Sequence, residues 1–255
     1  MVSVTKKKVW IIISATVLLC AVAALTVFLL VFNGVILLNN PSKSEFPVRG
    51  VDVSHYQGEI DWQVLSKEDI SFAFIKATEG STYTDKRFEY NFAEAQKTDL
   101  AVGAYHFFSF ESPGATQAEN FIKAVRPFEG MLPPVIDLEF YGNNENDPPK
   151  REAVGAQLKI MLEALEAEYG LVPIIYATEE SYDTYLKGAY ERYDIWIRDV
   201  IFEPELSDGR LWTFWQYTNR AKLTGYSGEE KFIDMNVFAG SSKDFDAFMK
   251  DRCVR

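Results

Sequence analysis

The sequence predicts an α/β protein, a single parallel (β/α) barrel preceded by one N-terminal transmembrane helix. Two observations predict this architecture. A charge-free apolar run near the N-terminus is long enough to cross a bilayer. After it, short apolar segments alternate with helix-like segments. Continuous apolar strands are typical of parallel sheets buried on both faces, and their alternation with helices indicates a barrel, with a doubly wound open sheet as the alternative.

The apolar run covers residues 9–32, VWIIISATVLLCAVAALTVFLLVF, and Lys6–Lys8 precede it. About 20 apolar residues suffice to span a bilayer as a helix. Basic residues favour the cytoplasmic side of a membrane. We therefore expect a cytoplasmic N-terminus at residues 1–8 and a single-pass plasma-membrane anchor at 9–38. The rest of the chain would be extracellular, on the cell-wall side.

A cleaved signal peptide, a lipoprotein site and a buried core helix are the alternatives to an anchor for this apolar run. The Ala-Val-Ala at 21–23 has the small residues of a cleavage site, but the run continues well past it, which favours an uncleaved anchor. Bulky Leu19 before Cys20 disfavours a lipoprotein site. A fully apolar circumference with a basic flank disfavours a core helix.

The composition of the remaining chain bounds its partners. Residues 41–255 hold 23 basic and 37 acidic residues, a net charge of −14, which argues against nucleic acid as a partner. Cys20 lies inside the apolar run and Cys253 lies near residue 255, so the two are not expected to pair. The domain should therefore fold without a disulfide. Residues 39–47 are polar and are interpreted as a linker to a domain over 48–255.

The elements of that domain follow one another in order. The predicted strands are RGVDVS (49–54), FAFIKAT (72–78), AVGAYHFF (101–108), PVIDLEF (134–140), VPIIYA (172–177), YDIWI (193–197), LWTFWQY (211–217) and FIDMNVF (232–238). Helices are predicted at 85–98, from a cap at Ser112-Pro113, at 150–169 before Gly170, and at 241–251. Helical patterns are weak after the sixth and seventh strands, so the barrel is expected to be incomplete in its last third.

Acidic residues recur where these strands end. Asp52 lies near the end of the first strand, Asp137 and Glu139 close the fourth, and Asp234 lies in the last. The active site of a β/α barrel lies at the carboxyl ends of its strands. Because strand side chains alternate with period two, positions 137 and 139 should both point into the mouth. Glu79, after the second strand, is interpreted as a structural acid of its turn.

Two neighbouring carboxylates have a chemical use. Like-charge repulsion raises the pKa of one of them, so that it stays protonated near neutral pH and donates a proton. Glycoside hydrolysis needs such a pair. The alternatives are a solvated chance pair or a metal site. The only histidines, His55 and His106, offer little support for a metal, since a histidine beside aromatics is more often structural.

Seven motifs lie in order along residues 48–240. They are DVSHYQGEIDW (52–62), FIKATEGSTYTD (74–85), VGAYHFF (102–108), PVIDLE (134–139), IIYAT (174–178), FWQYT (214–218) and IDMNVF (233–238). Together they resemble the family-25 glycoside hydrolases, which are lysozymes, or N-acetylmuramidases, that cut bacterial peptidoglycan. Each motif is weak by itself, and the series is specific.

This resemblance implies an irregular TIM-like (β/α) barrel that hydrolyses the β-1,4 bond from N-acetylmuramic acid to N-acetylglucosamine. By motif, Glu139 is the proton donor and Asp137 its partner, with Asp52 and Asp234 completing the acidic cluster. Asp137 would either attack the sugar or steady an intermediate formed by the substrate's acetamido group, and the sequence leaves both open.

The resemblance also implies partners and cleft residues. The expected partner is the peptidoglycan glycan strand, with no cofactor or metal, and a monomer is expected. The residues expected to line the sugar cleft are Tyr105, Tyr176, Trp215 and Gln216. For Trp215, packing in the core is an equally good interpretation.

The sequence departs from the pattern of this family at one wall of the expected sugar cleft. The family often has W-I-A-x-Y after the sixth strand, whereas this chain has WIRDV (196–200), with Arg198 and Val200 in place of a small and an aromatic residue. Glycan preference is therefore expected to differ.

Two other functions compete with this interpretation. A chitinase-like glycosidase is disfavoured by the Pro-Pro-Val-Ile lead-in at 133–136. A non-catalytic glycan-binding protein is disfavoured by retention of all four acids.

Overall fold

The computed structural model describes residues 2–254, with side chains from residue 5 onward. The chain divides into two compact units, with the boundary in the sequence between Leu38 and Asn39. The first unit contains helix α1, Val2–Phe32. Its apolar part, Thr5–Phe32, has 28 residues and would be about 42 Å long, which exceeds a hydrocarbon core of about 30 Å. Length and composition of this kind are shared by membrane anchors and secretion signals.

The second unit is a closed barrel. Its strands are β1 Arg49–Val53, β2 Phe72–Glu79, β3 Tyr83–Thr84, β4 Ala101–Phe107, β5 Val135–Leu138, β6 Ile174–Thr178, β7 Asp194–Arg198, β8 Phe214–Ala221 and β9 Ile233–Phe238. The ring runs β1-β2-β4-β5-β6-β7-β8-β9 and returns to β1, while β3 pairs only with β2. The predicted barrel and its eight strands are confirmed, and the open-sheet alternative is wrong.

Strand β9 departs from the expected all-parallel ring. It runs antiparallel to both β8 and β1, whereas the other neighbours in the ring are parallel. The physical reason is the connection before it. Residues 222–232 are too few for a crossover that returns a parallel strand, which needs a dozen or more residues. As a result, β9 begins at the end of the barrel where the parallel strands finish.

The helices are α2 Trp62–Leu65, α3 Phe88–Ala95, α4 Gly114–Ala124, α5 Arg151–Tyr169, α6 Glu179–Ser181 and α7 Ser242–Arg252, with a 3₁₀ turn at His55–Gln57 and a π turn at Tyr182–Leu186. Helix α5 ends as predicted at Gly170, which is left-handed with φ 67°. Helix α4 begins without the predicted Ser112 cap. Pro113 occupies the N-cap position in extended conformation and supplies no side-chain hydrogen bond.

Two apolar layers hold the barrel. Inside it, aromatic rings from β2, β7 and β8 pack together. Phe74 stacks on Trp196 with centroids 4.8 Å apart, and Phe214 meets Phe74 edge-on. Outside it, the helices cover the sheet with a second cluster. Because the interior is filled by side chains, the barrel is a packed core and not a pore, and a ligand is confined to its mouth.

Candidate active site

A cleft of about 500 Å³ opens at the carboxyl ends of the parallel strands. Seven of the eight predicted site residues line it, namely Asp52, Tyr105, Asp137, Glu139, Tyr176, Gln216 and Asp234. The remaining wall includes Arg198, which the sequence placed in a cleft wall. It also includes residues that the sequence did not single out, Val53, Ser54, Tyr56, Gln57, Trp196, Asn219 and Glu230. The predicted acids therefore converge on one opening.

The strand register explains this convergence. Asp52 of β1 lies directly opposite Asp234 of β9. Asp234 reaches the mouth from the second residue of its strand, because β9 runs antiparallel. Asp137 of β5 lies opposite Tyr176 of β6, and Glu139 follows the last residue of β5. Side chains at 137 and 139 share a face, as the period of two predicts.

Trp215 does not line the cleft, so the prediction for it is corrected. It is buried on the outer face of β8, where its ring contacts Phe46 and Trp212. Its indole Nε1 donates a hydrogen bond to the Asp199 carbonyl at 2.8 Å. Because neighbouring residues of a strand face opposite sides, an inward Gln216 places Trp215 outward, among the core residues.

Gln216 holds two of the acids. Its Nε2 donates to Asp52 Oδ2 at 2.8 Å and lies 3.2 Å from Asp234 Oδ2. The Tyr176 hydroxyl donates to Gln216 Oε1 at 3.1 Å. That bond sets the orientation of the amide, because its carbonyl is engaged by the tyrosine and its NH₂ group faces the carboxylates.

Asn236 is a site residue that the sequence interpretation missed. Its Nδ2 donates to Asp52 Oδ2 at 2.8 Å, and its Oδ1 accepts from Trp196 Nε1 at 2.8 Å. It is fully buried. The signal was present in IDMNVF, where the asparagine follows Asp234 by two positions and so lies on the same face of β9.

Burial controls the protonation of the Asp137 and Glu139 pair. Burial raises the pKa of Glu139, while the charge of Arg198 lowers it. Burial and then the charge of Glu139 raise the pKa of Asp137 well above its usual range. Like-charge repulsion was the expected cause of a raised pKa. Desolvation is the larger cause at both residues, and repulsion adds to it, from Asp52 at Glu139 and from Glu139 at Asp137. Asp137 Oδ1 is buried with no hydrogen-bond partner in the part of the chain that is described.

The second pair of acids is also shifted. Burial raises the pKa of Asp52, against the opposing effect of its hydrogen bonds from Asn236 and Gln216. Burial and the charge of Asp52 raise the pKa of Asp234 well above its usual range. Each ionised carboxylate therefore disfavours ionisation of the next one, and the cluster retains protons at a pH where isolated aspartates have lost them.

Three other polar residues near the mouth, Lys76, Glu79 and His106, have structural partners. Lys76 Nζ pairs with Glu79 Oε2 at 2.7 Å, and Glu79 is not among the cleft-lining residues. His106 is fully buried, with Nδ1 2.7 Å from Thr78 Oγ1 and Nε2 3.1 Å from Gln117 Oε1. Burial lowers the pKa of His106 to about 4. It is therefore a neutral, hydrogen-bonded core residue at neutral pH.

The barrel and its motifs are shared with a family of known proteins. The family model for glycosyl hydrolases family 25 matches residues 51–226. The chain belongs to glycosyl hydrolases family 25. It is therefore a glycoside hydrolase of the lysozyme, or N-acetylmuramidase, family, and the family implies peptidoglycan as the substrate.

Individual family-25 proteins support this membership. The solved family 25 glycosyl hydrolase of Bacillus anthracis is 54% identical to this chain, with a TM-score of 0.78 over 83% of this chain and 97% of that one. The bacterial lysozyme of Streptomyces coelicolor is 30% identical, with a TM-score of 0.71 over 80% and 97%. Lysozyme M1 of Streptomyces globisporus is 32% identical over 211 residues, or 76% of this chain and 69% of that protein.

Proposed function

We propose that the protein is a muramidase that cleaves the β-1,4 bond between N-acetylmuramic acid and N-acetylglucosamine in peptidoglycan, with Glu139 as the general acid. One observation carries the assignment. Glu139 lines the open cleft, and burial raises its pKa, so at a place that a glycosidic oxygen can reach it keeps its proton to a higher pH than an exposed glutamate does. Chitin cleavage and glycan binding without turnover are the competing functions.

In this proposal the acids divide the work. Glu139 protonates the leaving oxygen. Asp137 acts in the form of the coupled pair in which Glu139 carries the proton and Asp137 is ionised. It then stabilises the positive charge that develops on the neighbouring sugar, either by bonding to the anomeric carbon or by steadying the substrate's acetamido group. Asp52 and Asp234, held by Gln216, position the substrate and sustain the raised pKa of the pair. The proposed sugar-lining residues are Tyr105, Tyr176 and Gln216.

Mass spectrometry of the products tests the bond. Purified protein should release peptidoglycan fragments that end in reducing N-acetylmuramic acid, and it should leave chitin intact. Fragments ending in N-acetylglucosamine would show that the opposite bond is cut. Strands that bind without being shortened would favour the glycan-binding function instead.

We also propose that α1 is an uncleaved membrane anchor. Its length is sufficient to span a bilayer, and the lysines of residues 1–8 favour a cytoplasmic N-terminus. Residues 39–47, whose Phe46 packs against Trp215 of the barrel, would then connect the anchor to the domain over 48–255. That domain would act as a monomer at the cell wall. An anchor would keep the enzyme close to its insoluble substrate.

A further inference from the structure

Arg198 is the cleft residue that the proposed sugar chemistry leaves without a role. It is the last residue of β7 and lies in register with Gln216 of β8. It lines the cleft together with Glu139 and Asp234. An arginine there adds five N–H donors and a permanent positive charge to a sugar-binding wall.

The guanidinium of Arg198 is not engaged by the protein. Across residues 5–254, it makes no hydrogen bond and no ion pair with any side chain or carbonyl. Other arginines of the domain are held in place. Arg210 donates to three backbone carbonyls, and Arg192 pairs with Glu166. Arg198 acts on the acids of the cleft only through its charge, which favours the ionised forms of Glu139, Asp52 and Asp234.

The substrate offers a natural partner for such a group. Hydroxyl and acetamido groups of N-acetylated sugars are neutral and need no fixed charge to bind them. N-acetylmuramic acid also carries a lactyl ether, whose carboxyl is free in peptide-free strands and amide-linked where a stem peptide is attached. The peptide carries further carboxylates. A cleft lined by acids would repel any of these groups, and a guanidinium binds a carboxylate through two parallel hydrogen bonds.

We propose that Arg198 binds a carboxylate of the substrate and thereby selects glycan strands that carry this charge near the cut bond. The inference rests on the proposed muramidase function, because it needs a muramyl strand in the cleft. Two sources share the chemistry, the lactyl carboxylate of peptide-free strands and a carboxylate of the stem peptide. The cleft wall formed by the end of β7 would therefore determine which glycan strands the protein binds.

Two binding cycles test the proposal, using the full-length protein in detergent with Glu139→Gln so that strands bind without being cut. The first compares peptide-free strands before and after reduction of the lactyl carboxyl to an alcohol. The second compares peptide-bearing strands before and after amidation of the peptide carboxyls. Each is measured with Arg198 intact, with Arg198→Gln and with Arg198→Lys, which keeps the charge but not the fork. Arg192→Gln is the matched control, because that side chain is bound to Glu166 on α5.

Arg198→Gln should weaken binding of the carboxylate-bearing strand by about tenfold or more in one of the two cycles. It should leave binding of the neutralised strand unchanged, which also shows that the variant is folded. The affinity of Arg198→Lys for the carboxylate-bearing strand should lie between that of Arg198→Gln and that of the protein with Arg198 intact. Arg192→Gln should leave the affinity for every strand unchanged. The cycle that shows the loss identifies the source of the carboxylate.

Equal weakening of charged and neutral strands in both cycles, or no weakening, would overturn the inference. Failure of the proposed function has a separate signature, because products of the active parent on the same strands report which bond is cut. If the fragments end in N-acetylmuramic acid but Arg198→Gln affects charged and neutral strands equally, the muramidase function stands and only the role proposed for Arg198 is refuted.

Discussion

At the scale of single residues, protonation is what distinguishes the cleft. Buried carboxyl groups are normally neutralised or paired, because taking a charge out of water is costly. The cleft instead gathers Asp52, Asp137, Glu139 and Asp234, each with a raised pKa. The amide groups of Gln216 and Asn236 support Asp52 directly. Such a cluster is useful for chemistry that moves protons.

Replacing Glu139 by glutamine tests the proposed general acid. Glutamine keeps the shape and hydrogen bonding of the side chain but cannot deliver a proton, so turnover of peptidoglycan should fall by at least about a hundredfold. Thermal unfolding should show that the fold is retained. Glu79→Gln is the matched control and should keep most of the activity, because Glu79 pairs with Lys76 away from the cleft lining. Wild-type turnover by Glu139→Gln would refute the assignment.

The activity should decline on the alkaline side as Glu139 ionises. A general acid works in its protonated form, and burial raises the pKa of Glu139 above the usual 4.5, so activity should persist at a pH where an ordinary glutamate is ionised. Because the charge of Arg198 lowers this pKa, Arg198→Gln should move the alkaline limb of kcat/KM to higher pH. An unmoved limb would show that another group controls it.

Asp137→Asn should lower activity and raise stability. The pKa of Asp137 is raised in the folded state above its usual 3.8, so its contribution to stability is full below that value and is lost as pH rises through the raised pKa. Asparagine does not ionise and avoids this loss. We therefore expect the variant to be more stable than the parent in urea at pH 7, and to lose most turnover. Lower stability at pH 7 would contradict the expectation.

At the scale of elements, the short connection before β9 shapes the site. It reverses this strand and sets Asp234 opposite Asp52. The eight strands could be predicted from apolar runs, because burial on both faces leaves a local signature. Strand direction could not, because it depends on which neighbours the strand pairs with. The same applies to Trp215 and Gln216, since a strand apolar on both sides does not show which face is inward.

Helices α4 and α5 meet closely at Gly114, which gives a prediction for packing. A Cβ at this position would lie 2.0 Å from the backbone oxygen of Gln157, so Gly114→Ala must displace α4 and should cost about 1–3 kcal/mol in the free energy of unfolding. Gly155→Ala within α5 is the control. It meets only the Tyr190 hydroxyl at 3.3 Å and gains helix propensity, so it should be neutral or stabilising. Urea unfolding compares the two, and equal effects would refute the close-packing argument.

At the scale of the whole molecule, the apolar helix and the barrel are expected to fold independently of each other. The barrel has its own core of buried residues and needs no disulfide, since Cys253 is a free, buried thiol and Cys20 lies in α1. Burial raises the pKa of the Cys253 thiol to about 12, so it is unreactive at neutral pH. The barrel should therefore fold without the helix.

Cell fractionation tests the anchor. The full-length protein should remain with membranes until detergent is added, and protease outside intact cells should remove the barrel, because α1 is long enough to span the bilayer. A variant beginning at Asn39 behind a cleavable signal is the control and should be released in active form. If expression of the full-length chain instead gives a shortened product in the medium, with a mature N-terminus near Ala24, then α1 is a cleaved signal.

The sequence by itself determined the family, the strands and the apolar helix, because motif order, hydrophobic runs and the period of two are local properties of the chain. It also placed four acids at strand ends. Only the tertiary structure decided that β9 is reversed, that Trp215 faces outward, and that Asn236 and Gln216 hold Asp52. It also made burial the main cause of the raised pKa values. These properties arise between residues far apart in sequence, as when Gln216 reaches Asp52, and become defined only when the barrel closes.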